Sequence, residues 1–107
     1  MAFKAVFLAH ALDGEPEKHR CVIDTSRYKL FSVLVSTQVQ AVEECKKLVK
    51  EEGVQSIVLC PGFTHRMVAE IAEAVGSKVS VAVARGDGPS SRVSAEIRKA
   101  ERIPLAH

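Results

Sequence analysis

A chain of 107 residues that is 47% hydrophobic and 26% charged has the make-up of one compact domain, not of a disordered segment. A net charge of +2, spread along the chain with no basic block, gives no electrostatic hold on nucleic acid or an anionic membrane surface. With no Trp and one Tyr, base stacking on aromatic rings is not a resource here, and no apolar run approaches the roughly 20 residues that cross a bilayer.

The three cysteines, Cys21, Cys45 and Cys60, are odd in number and widely spaced, which is the usage of a reducing compartment. The first ten residues hold only a short apolar run with a single Lys, so they read as a first strand and not as a secretion signal. A cytoplasmic location is expected.

Residues 2–9 read as a buried strand, with Phe3, Val6, Phe7 and Leu8 apolar. Asp13-Gly14 marks a turn after His10. Pro16, flanked by Glu15 and Glu17, suits the first turn of a short helix over 16–24. The alternative for that segment is a strand, Cys21-Val22-Ile23, paired with the next one as a hairpin.

Tyr28 to Val35 is the second strand, and Ser36 or Thr37 caps a helix over 38–52 with a stripe of Val42, Cys45, Leu48 and Val49. Gly53 closes that helix. A third strand, 55–60, leads through Pro61-Gly62 to a helix over 64–75, capped by Thr64 and ended by Gly76. In the fourth strand, 78–84, the residues between the valines are small and uncharged, which predicts that both faces of the sheet are covered. The last helix is expected over about 91–102, with Val93, Ile97 and Ala100 inward and Pro104 as its stop; His107 is a terminal residue without an expected role.

Strands alternating with helices argue for parallel pairing with right-handed crossovers. The expectation is a single α/β domain over 1–107. Its layout is a small flavodoxin-like, three-layer one, with a four-stranded parallel sheet in the order 2-1-3-4 and helices on both faces. In such a sheet the loops after the strands gather on one rim, where ligands bind.

Those loops carry the candidate site residues. The loop after the fourth strand, Arg85-Gly86-Asp87-Gly88-Pro89-Ser90-Ser91, has the parts of an anion cradle: glycines for close approach, serine hydroxyls, an arginine and a helix N-terminus. It follows neither the dinucleotide fingerprint nor the phosphate-loop pattern, and its simplest alternative is a turn with a helix cap. Thr64 offers a second helix N-terminus on the same rim. Cys60, at a strand end, is a candidate nucleophile with His65 or His10 as base, against the alternative of a small buried residue. His10, His19, Cys60 and His65 lack the paired spacing of a zinc motif, so no metal site is expected. No motif names a cofactor.

Three phrases are distinctive: His19-Arg20-Cys21-Val22-Ile23-Asp24-Thr25, Leu59-Cys60-Pro61-Gly62-Phe63-Thr64-His65, and Ala84 through Arg92. They resemble an uncharacterised family of short prokaryotic proteins, a domain of unknown function. The resemblance covers nearly the whole chain and implies a stand-alone domain. It implies no activity, cofactor or catalytic residue.

Three functions follow as expectations. The first is binding of a small anionic molecule at the rim. The second is a small enzyme using Cys60, or His10 and His65. The third is a homo-oligomeric interaction module, most simply a dimer, since so small a domain has apolar surface to spare.

Overall fold

The computed structural model describes residues 1–103, which leaves Pro104 and His107 outside the described part. Five strands and three helices follow in the order β1 (Phe3–His10), β2 (Arg20–Asp24), β3 (Tyr28–Val35), α1 (Gln38–Glu52), β4 (Ser56–Leu59), α2 (His65–Val75), β5 (Ser80–Val83) and α3 (Gly88–Glu101). The strands form one mixed sheet ordered β2-β3-β1-β4-β5. β3, β1, β4 and β5 are parallel, and β2 pairs antiparallel with β3.

The expected four-stranded, purely parallel sheet is therefore corrected to five strands of mixed direction. The cause lies in residues 16–24, which are not a helix. Pro16 and its acidic neighbours start only one turn, in which the N–H groups of Lys18 and His19 donate to the Glu15 carbonyl. That turn ends because Arg20 enters the sheet opposite Val33, and Cys21-Val22-Ile23 continue along β3. The hairpin closes at Ser26, held in the left-handed region at φ 76° while its N–H donates to Asp24 Oδ1 at 2.9 Å.

The core lies between one face of the sheet and the pair α1 and α2. Val6 and Leu8 of β1, Val33 and Val35 of β3 and Ile57 and Leu59 of β4 meet Ala41, Cys45 and Leu48 of α1 and Ile71 of α2, all buried. Thr37 and Gln40 form a capping box at the start of α1, and Gly53, at φ 73°, ends it in the left-handed conformation that suits glycine. Arg20 reaches across from β2 to Glu44 of α1, with Nη1 donating to Oε1 at 2.5 Å. This ion pair fixes the added strand against the helix layer.

Cys45 belongs to this core. Burial, with a smaller contribution from the charge of Glu44, pushes its thiol up from the ordinary 9.0 to about 12.

The expectation of helices on both faces is also corrected. α3 has no buried residue, and Val93 and Ile97, expected inward, are 55% and 57% exposed. The helical spacing of these residues does mark a helix, but spacing alone says nothing of which surface the stripe meets. Among the described residues no helix is long and apolar enough to cross a membrane.

Candidate functional site

The parallel strands β1, β4 and β5 end on one border of the sheet, and the residues that follow them meet there. Backbone bonds continue one residue past β4 and β5: Cys60 N–H donates to Leu8 O at 3.0 Å and Ala84 N–H to Leu59 O at 2.8 Å. The chain then turns sharply through Cys60-Pro61-Gly62-Phe63, closed by Phe63 N–H donating to Cys60 O at 3.2 Å. Phe63 is the anchor of this turn: its side chain is fully buried, with its ring 4.1 Å from that of His10.

His10 and Cys60 are neighbours. The His10 N–H donates to Cys60 Sγ at 3.4 Å. Gly62 lies over both: a β-carbon there would sit 3.4 Å from Cys60 Sγ and 3.8 Å from His10 Cβ and Cδ2. Those are ordinary contact distances, so the turn packs on the thiol and the imidazole together.

Arg85 ties the third loop to this turn. Its Nη1 donates to Phe63 O at 2.9 Å and Pro61 O at 3.4 Å, and its Nη2 to His65 Nδ1 at 3.0 Å. A guanidinium can only donate, so Nδ1 of His65 accepts and the neutral ring carries its proton on Nε2. These bonds bring the loops after β4 and β5 together, as the sequence led us to expect. They also engage Arg85 with protein atoms, so it serves as a brace.

The other expected site residues are placed as follows. Thr64 caps α2, its hydroxyl accepting from Met67 N–H at 3.2 Å. Asp87 is the N-cap residue of α3, with Gly88 and Pro89 opening the helix and the Ser91 N–H donating to Asp87 O at 2.7 Å. Gly86, Asp87, Ser90 and Ser91, with Pro61 and Arg98, line a hollow of about 250 Å³. The Asp87 carboxylate beside that helix start complements the dipole and opposes a second anion there.

The larger cleft on this border, about 570 Å³, lies one step along the rim. Its chemistry comes from His10, Asp13, Cys60, Arg98 and Arg102, with Leu12 and Ile103 as apolar walls. Neither Thr64 nor His65 lines it. Pro61 and Arg98 border both hollows, which makes the rim one continuous surface. Arg98 and Arg102 pair with no carboxylate among the described residues, and no three His, Cys, Asp or Glu side chains gather there as a metal site.

Sequence reasoning missed Arg98 and Arg102. Their signal was their spacing: four residues apart, they share one side of α3 with Ser91 and Ser94. Two cations near a helix end are also what the negative end of the dipole favours, so their spacing alone does not mark a site. A further hollow of about 450 Å³ lies between residues 15–18 and α1. It is lined by charged side chains, among them the Lys18–Glu15 pair at 3.4 Å, and it lies outside the group of loops tied together by Arg85.

A model of a family of unknown function, DUF6506, matches residues 3–99, and the chain belongs to that family. Neither a curated protein nor a solved structure matches it.

Proposed function

We propose that this member of the DUF6506 family binds a small anionic molecule at the rim of its sheet, in the cleft between the turn after β1, the turn after β4 and the last half of α3. The observation that carries this reading is the pair Arg98 and Arg102, two cations without carboxylate partners among the described residues, on the wall of a cleft of about 570 Å³. That volume suits a small metabolite. A guanidinium holds a carboxylate or phosphate with two parallel bonds, and the apolar walls keep competing water down. Ser90, Ser91 and the backbone of Gly86–Gly88 extend the surface and can take a second polar end of the same ligand.

The remaining parts of the account are a homodimeric state and a cytoplasmic location. The spare apolar surface supports the first, and three free cysteines suit the second. The test of the ligand is melting of the full chain against phosphorylated and carboxylated small molecules. A ligand at about 100 times its Kd adds about 2.7 kcal/mol, which raises the melting temperature by several degrees. No rise with any of them would overturn the proposal.

A second reading, a small enzyme, is favoured by one observation: Cys60 and His10 both line the cleft, with the backbone N–H of His10 donating to the Cys60 thiol at 3.4 Å. A Cys60 that iodoacetamide alkylates at neutral pH no faster than free cysteine would remove it as a nucleophile.

A further inference from the structure

One face of the sheet is covered by α1 and α2, and among the described residues no helix covers the other, on which only the small Ala5 is buried, between Phe3 and Phe7 along its strand. Strand pairing puts Cys21, Ser32, Phe7, Val58 and Ala82 in one row across that bare face. Two residues along, Ile23, Leu30, Ala5, Ser56 and Ser80 form the next row. Neither row holds a charge, although 26% of the chain is charged. A solvated sheet face alternates apolar-in with charged or polar-out. Here the outward side carries Phe7, Ile23, Tyr28 and Leu34, each at least 36% exposed, and the ring of Phe3 lies 5.5 Å from that of Tyr28.

α3 presents a second bare surface. Ser91, Ser94, Arg98 and Arg102 line the rim hollows. Val93, Ile97 and Ala100 lie about 140° around the helix from that side, on the geometry of 3.6 residues per turn. The helix therefore turns its polar side to its own protein and its apolar side to solvent. A bare apolar helix stripe and a bare uncharged sheet face on one chain are complementary.

We infer that a second copy of this chain covers the bare face of the sheet, each copy laying the Val93–Ile97 stripe of α3 on its partner's strands. Area favours this arrangement over strands alone. A face of five strands about 4.8 Å apart, with about 15 Å of common length, presents roughly 350 Å². Two such faces fall short of the about 1,000 Å² that a stable pair needs, and the two α3 stripes, each about 20 Å long, make up the difference. The pairing is self-complementary, helix to sheet and sheet to helix, as a two-fold axis requires. It deepens the homodimeric part of the proposal above and does not depend on the ligand.

The test uses the full chain and two variants, Ile23→Lys on the sheet face and Ile97→Lys on α3, with light scattering at high micromolar concentration. Both side chains are more than half exposed in the single chain, so neither variant is expected to unfold, and melting curves check this. The expected result is a wild type of twice 11.6 kDa and two monomeric variants. Cys21, on the bare face, is expected to react with iodoacetamide about tenfold more slowly in the wild type than in either variant. A monomeric wild type overturns the homodimer itself. A dimer that survives either substitution overturns the helix-on-sheet arrangement while leaving a homodimer standing. A monomer with slowly reacting Cys21 would mean that the chain's own α3 closes on the face, and also overturns it.

Discussion

Arg85 donates through Nη2 to Nδ1 of His65 at 3.0 Å, and through Nη1 to the carbonyls of Phe63 and Pro61. Twenty residues apart in sequence, the two side chains hold the turn after β4 and the segment after β5 in one piece. Replacing Arg85 with Ala is expected to lower stability by about 1–2 kcal/mol, the net worth of charge-assisted bonds at a partly solvated site. His65→Ala removes one of the three bonds and should cost less. Urea unfolding of both variants measures the difference, and equal losses would contradict the role of Arg85 as a brace of the whole turn.

The Arg20–Glu44 pair makes a larger prediction. Glu44 is 8% exposed and Arg20 28% exposed. Arg20→Ala strands a carboxylate in the core layer and is expected to cost roughly 3 kcal/mol, the lower end for a broken buried pair because the arginine keeps some water. Glu44→Gln leaves the Arg20 guanidinium as the unpaired charge, and because that group is better solvated than Glu44 the change is expected to cost less. Chemical unfolding of both single variants and the double variant would isolate the coupling between them.

Cys45 predicts a pH dependence. In the folded chain its thiol is held near 12, against 9.0 ordinarily. Above pH 9 the unfolded chain loses this proton and the folded chain keeps it. The folded state then binds more protons, and stability falls with rising pH by up to about 1.4 kcal/mol per unit. The contribution is fully present below pH 9, declines between 9 and 12, and levels off beyond. Lysines and the tyrosine also titrate in that window, so the measurement is the difference between wild type and Cys45→Ala. A difference that does not change between pH 8 and pH 11 would contradict it.

Local signals carried much of this structure. Thr37 and Thr64 cap the helices that their positions announce, Gly53 takes the left-handed conformation, and the valine-rich segments form the parallel strands. Two features were decided by partners distant in sequence. Residues 16–24 carry a helix-start signal and a β-branched run at once, and only the ladder with β3 resolves them in favour of a strand. The stripe of α3 is legible as a stripe, but its direction is set by which side meets the rim. The small uncharged residues of β5 predicted a sheet covered on both faces, but Ser80 and Ala82 are exposed, because small side chains mark the absence of charge and not the presence of a covering layer. Of the candidate site, the contact of Cys60 with His10 and the tie of Arg85 to the turn after β4 followed from parallel topology. Arg98 and Arg102 did not, because their place depends on where α3 runs.

The anion at the rim is tested most directly by calorimetric titration. The anion that gives the largest rise in melting temperature is titrated into wild type and into the Arg98→Ala/Arg102→Ala double variant. Both side chains are exposed, so the variant is expected to fold and melt close to the wild type. The predicted result is saturable binding to the wild type, weakened at least about tenfold in the variant, since each lost charge-assisted contact removes about 1.4 kcal/mol or more. Equal affinity in the two proteins would contradict the cleft as the binding site.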